Sequence, residues 1–179
     1  MVAPWQTGND ELNILRYRNA NNTANDDYNC GGHALETFNV YLPFETSEED
    51  REMMRYCLNH KYAVPLAHAA KKIKKGFPEL HIVKEEAIRA KAFNGKDFVV
   101  IAFRYAVDDF HFWKLEPDNT WSNKWGRTDI IDFQPYKAVF DVWETDYTCY
   151  DSDIIFFVKR RSGRKLPFFI IYLYYTLNV

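Results

Sequence analysis

The chain has 179 residues, enough for one domain with a substantial core. Its formal net charge of −2 argues against a whole-molecule attraction to nucleic acid or a membrane surface. Aromatic residues make up 17%, with 14 Phe and 12 Tyr, which points to a bulky, sheet-rich core. The three cysteines, Cys30, Cys57 and Cys149, do not read as a disulfide framework. Met1 leads into Val2–Gly8 without the basic and apolar regions of a secretory signal. Both features point to a reducing, intracellular compartment and predict a cytoplasmic protein. Two basic runs, Lys71–Lys75 and Lys159–Arg161, read as solvated faces. Neither is interleaved with stacking aromatics, so no nucleic-acid partner is expected.

In chain order, residues 1–29 read as irregular, with a polar tract from Asn21 to Asp27. From Cys30 the pattern turns helical: Ala34, Leu35, Phe38 and Leu42 recur at three- and four-residue spacing, and Pro43 ends it. A second helix is predicted from Ser47 to about His60, capped by Thr46 or Ser47, with Met53, Met54, Cys57 and Leu58 on its buried face. A third runs from Pro65 to Lys75 and stops at Gly76.

The period then changes. Leu80–Val83 reads as a short strand and Lys84–Ala92 as a helical connection. Phe98–Tyr105 is a continuous apolar run of central-strand length. Phe110–Leu115 is a strand, Glu116–Asn119 a turn and Thr120–Trp125 the returning strand, ended by Gly126. Ile130–Ile131, Ala138–Val142 and Ile154–Val158 are further strand candidates. Pro167–Leu177 is the longest apolar run; a span takes about 20 residues, so it reads as a buried strand or as a tail for a partner or membrane surface. Helices followed by strands predict an α+β fold with an antiparallel sheet. We expect a single domain over 1–179, with an irregular segment at 1–29 and an apolar strand or tail at 164–179.

The segment Tyr28-Asn29-Cys30-Gly31-Gly32-His33-Ala34-Leu35 places a thiol at a helix start, where unpaired N–H groups and a partial positive charge favour the thiolate. Such a nucleophile needs a base. His33, three residues on, is expected to flank the site rather than act as base. His111 lies in a strand whose residues 109, 111, 113 and 115 share one face. Across the turn, Asn123 comes opposite or diagonal to it and can hold the ring tautomer. Asp109 and Asp118 are less well placed for that role. Gly31 and Gly32 read as small residues that let a substrate backbone approach the thiol. Asn25, Asn29 and the Cys30 backbone N–H are oxyanion candidates. Cys57-Leu58-Asn59-His60 has ligand-like spacing but no second pair to complete a metal site, and no phosphate-binding loop occurs. No cofactor is implied.

A helix-borne cysteine followed by a hairpin with histidine and a polar third residue resembles the papain-like cysteine peptidase superfamily, in particular its compact NlpC-type branch. The matching pieces are Asn29-Cys30-Gly31-Gly32-His33-Ala34-Leu35, Asp109-Phe110-His111-Phe112 and Trp121-Ser122-Asn123-Lys124-Trp125-Gly126. They resemble the N-C-G-G, D-x-H-F and W-x-H-K-x-G segments of small phage and bacterial proteins; here Asn123 stands where that pattern often has histidine. The resemblance implies a papain-like domain, a Cys30–His111–Asn123 triad flanked by Asn29, Gly31, Gly32, His33, Asp109 and Trp121, and a peptide, isopeptide or other amide substrate. A phage-encoded enzyme would then act in the host cytoplasm. The rival expectation is a non-catalytic binding protein on the same fold, such as a phage-encoded inhibitor of a host protein, with Phe168–Tyr175 as one contact surface.

Overall fold

The computed structural model describes residues 28–37, 39–41, 48, 52, 63–106, 109–126, 131–145 and 148–161. Its elements are α1 (Cys30–Ala34), α2 (Ala63–Gly76), β1 (His81–Val83), α3 (Glu85–Arg89), β2 (Phe98–Tyr105), β3 (Phe110–Leu115), β4 (Trp121–Lys124) and β5 (Ile131–Gln134). A 3₁₀ turn (Tyr136–Phe140), β6 (Trp143–Glu144), β7 (Cys149–Tyr150) and β8 (Ile155–Arg160) follow. Six strands form one antiparallel sheet in the order β1-β8-β2-β3-β4-β5, and β6–β7 is a separate two-stranded ladder. The fold is α+β.

The alternation along the strands divides the core in two. Val99, Ile101, Phe103 and Tyr105 of β2 and Phe110 and Phe112 of β3 meet α1 and Leu66, Ala69, Ala70 and Ile73 of α2. Phe98, Val100 and Ala102 of β2 and Trp113 and Leu115 of β3 meet Ala87 and Ile88 of α3, with Trp143 and Tyr150. The β2 run is buried at every position, as expected of a strand covered on both faces.

Several expectations need correction. The helix begun at Cys30 lasts five residues instead of reaching Leu42. Glu36 turns left-handed at φ 58°, and residues 39–41 fold back over the helix. Ala138–Val142 is no strand: Pro135 precedes a 3₁₀ turn over Tyr136–Phe140, and Val142 is exposed. The strand at Ile130–Ile131 is β5, running from Ile131 to Gln134. The third helix starts two residues before Pro65, within the first turn, where a missing N–H costs nothing. Glu48 and Glu52 are helical; the rest of the Ser47–His60 helix, the segment before Tyr28 and the C-terminal run lie outside the described residues. No described helix is long and apolar enough to cross a membrane.

Candidate functional site

The thiol sits where α1 begins. Asn29 caps the helix: its Oδ1 accepts from the Gly32 N–H (3.0 Å) and from the Tyr41 N–H (3.0 Å), and its Nδ2 donates to the Tyr41 carbonyl (2.8 Å). Both the oxygen and one N–H of that carboxamide are thus used to tie α1 to the Tyr41 backbone. Asn25 lies outside the described residues. The glycines have a different role from the expected one as well. A Cβ on Gly32 would stand 1.8 Å from the Asn39 carbonyl oxygen, and one on Gly31 2.9 Å from that of Tyr41. They admit the chain's own return segment, not a substrate backbone.

Cys30 is buried among the aromatic side chains of the helix-side cluster. Backbone hydrogen bonds from Phe112, Gly31 and Cys30 favour the thiolate, but burial outweighs them and pushes the thiol up to about 12, with the Asp109 charge adding to the shift. The sulfur therefore rests as a thiol. The β3–β4 ladder pairs Leu115 with Trp121 and Lys114 with Ser122.

His111 and Asn123 do come together. The ladder register extends to place Asn123 diagonal to His111, and His111 Nε2 lies 3.1 Å from Asn123 Oδ1. A carboxamide oxygen only accepts, so Nε2 carries the proton and Nδ1 is the bare acceptor. The ring is enclosed by Trp143, Trp113 and Tyr150, with centroids 4.6, 4.7 and 5.5 Å away. Burial pulls its pKa down to about 3, against the raising effect of the Asn123 bond, so it is neutral at pH 7. Asp109 accepts from the Tyr150 hydroxyl and from the Phe110 N–H, fixing the strand entry to the β6–β7 hairpin.

The sulfur and this ring leave the sheet on opposite sides. Cys30 packs with Phe110 and Phe112 on the helix face; His111 and Trp113 point to the other face. Among the described residues no hydrogen bond joins Cys30 Sγ to the His111 ring, although the sulfur meets the amide of the next residue, Phe112.

His33, expected as a flanking residue, is part of a buried chain on the helix face. Its Nε2 lies 2.8 Å from Ser122 Oγ, and Ser122 donates to Glu116 Oε1 at 2.5 Å. The serine's single proton goes to the carboxylate, so His33 Nε2 must donate. Glu116 pairs with Lys114 at 3.2 Å, Lys114 approaches Glu36 at 3.7 Å, and Arg161 binds Glu36 at 2.8 Å. Burial and the charges of Lys114 and Lys124 hold His33 down to about 3, so it too is neutral. Trp121, expected at the site, lies on the opposite face from Cys30, packed on Tyr136 and Phe156 with its N–H donated to the Tyr136 carbonyl.

The residues that sequence reasoning missed are Trp143 and Tyr150. They lie in two-residue strands too short to show a period. Among the described residues no group of three His, Cys, Asp or Glu side chains could hold a metal, and Cys57 and His60 lie outside them. An open groove of about 1080 Å³ runs between α2, β1 and the start of α3, and no expected site residue lines it. No protein-family model, curated protein or solved structure matches the chain.

Proposed function

We propose that the chain is a thiol-dependent hydrolase or acyl transferase of papain-like type, acting on a peptide, isopeptide or other amide bond. One observation carries this reading: the 3.1 Å contact of His111 Nε2 with Asn123 Oδ1, which leaves Nδ1 bare to take a thiol proton. Cys30 Sγ attacks the substrate carbonyl carbon while its proton passes to Nδ1. The C–S bond forms and the carbonyl π pair moves to oxygen. Collapse re-forms the carbonyl, breaks the C–N bond and returns the proton from Nδ1 to the leaving nitrogen. Water, or an acceptor amine, then releases the acyl group. In the resting structure the sulfur meets the Phe112 amide on the helix face and the ring lies on the other, so this reading requires a rearrangement that brings Sγ to Nδ1. In a host cell infected by a phage, cytoplasmic proteins would be the substrates.

The test is an acyl-transfer burst with p-nitrophenyl acetate. The reading expects one nitrophenol per protein, no burst in Cys30→Ala, and a burst about tenfold slower or worse in His111→Ala. An equal burst in His111→Ala contradicts the triad. The second reading, a non-catalytic binding protein, is favoured by a different observation: the buried thiol at about 12 on the face away from the imidazole. It expects no burst at all.

A further inference from the structure

The β6–β7 ladder is an outer layer over His111. It is no part of the six-stranded sheet, and it pairs Trp143 with Tyr150 and Glu144 with Cys149. Trp143 and Tyr150 turn inward, 4.6 and 5.5 Å from the imidazole and stacked on each other at 4.9 Å. Glu144, on the other side of the ladder, is exposed. The third ring against His111, Trp113, belongs to β3 itself. Two of the three rings that enclose the imidazole therefore sit on one short element that reaches solvent on its far side.

The ends of this element are fixed and its two limbs are clasped. On the entry side, the Tyr136 hydroxyl donates to the Ile88 carbonyl and the Arg89 guanidinium lies 4.1 Å over the Phe140 ring. On the exit side, Ser152 Oγ accepts from the Tyr105 N–H at 2.8 Å. Between them, Arg104, the cross-strand partner of His111, donates to the carbonyls of Phe140, Asp141 and Tyr150 at 3.3, 2.5 and 3.2 Å. One guanidinium fork thus holds both limbs. Asp109, two residues before His111, accepts from the Tyr150 hydroxyl. A ladder this short contributes little by itself, so its packing and these polar contacts decide whether it stays down. The closed arrangement is also incompletely satisfied: Arg104 Nε and the Trp143 indole N–H are buried without a hydrogen bond, and water would supply one on opening.

We propose that the β6–β7 ladder is a gate over His111, hinged at Phe140 and Ser152 and clasped by Arg104 and Asp109. Closed, it withholds the imidazole from solvent. Open, it presents the bare Nδ1 on the hairpin side of the sheet while the rest of the core stays packed. The gate does not depend on the hydrolase reading, and its test reads the imidazole rather than acyl transfer.

The probe is diethyl pyrocarbonate at pH 7, which acylates a neutral imidazole, with each histidine followed by mass spectrometry. His33 is the internal reference: it is as buried as His111, each 5% exposed, but lies on the helix face against Ser122. The gate predicts that His111 reacts about tenfold or more faster than His33. Tyr150→Phe removes the bond to Asp109 and keeps the ring; it should speed His111 about fivefold, and Arg104→Gln by more, with His33 within about twofold of the unmodified protein. His111 reacting as slowly as His33 in the unmodified protein overturns the gate. So does an unchanged His111 rate in both variants. Equal acceleration of both histidines overturns it too, because the ladder then opens only with the whole fold.

Discussion

The two sides of the β3–β4 pair differ in what their polar groups do. On the helix side the chain closes on itself: Gly31 and Gly32 admit the Asn39–Tyr41 segment, Asn29 ties that segment to α1, and His33, Ser122, Glu116 and Lys114 form a continuous chain of contacts. On the hairpin side, His111 and Asn123 make one mutual bond among aromatic rings, and donors around them have no partner. A nucleophile candidate lies on the first side and its base candidate on the second.

Acid tests both sides at once. His33 and His111 are held near 3 in the folded state, against about 6.5 when unfolded. Their neutral forms therefore belong to a fold that is fully stabilised above about pH 6.5. Stability is lost as pH falls from there towards 3, by on the order of 1 kcal/mol per pH unit for each ring. Urea midpoints between pH 4 and 7 measure the slope, and replacing either histidine with Gln should halve it. A slope unchanged by one of the two replacements would show that ring to be solvated.

Substitutions separate the sides. Gly32→Ala drives a Cβ to 1.8 Å from the Asn39 carbonyl oxygen and should cost roughly 3 kcal/mol or more in urea unfolding. His111→Ala, on the other side, strips the Asn123 carbonyl oxygen of its donor and opens a space among three rings, for about 2–3 kcal/mol. A near-zero cost there would mean the imidazole does not brace the hairpin. The smallest effect is expected at the rim of the helix side. Glu36→Ala removes partly exposed pairs with Arg161 and Lys114, worth about 1 kcal/mol or less, and salt should shrink the difference.

Much of the sheet was legible because burial writes itself into the sequence. Phe98–Tyr105 reads as a largely apolar run and Phe110–Leu115 as an aromatic-rich strand, and both strands have those bounds. The turn length put Asn123 diagonal to His111. Helix length was not legible: Phe38 and Leu42 keep the helical spacing, yet the left-handed Glu36 and the close approach of Asn39 to Gly32 end α1 after Ala34. Nor was the side on which α1 packs. Alternation says that Phe112 and His111 face opposite ways, but which of the two meets the helix is decided by tertiary packing. Trp143 and Tyr150 lie far along the chain from His111 and reach it only through the hairpin.

The most direct test is the pH profile of Cys30 alkylation, mapped by mass spectrometry in the unmodified protein and in His111→Ala. The account predicts that Cys30 reacts ahead of Cys57 and Cys149 near neutral pH, and that removing His111 shifts its profile upward. Identical profiles with and without His111, both rising only in strong alkali, would contradict it and make Cys30 a core thiol.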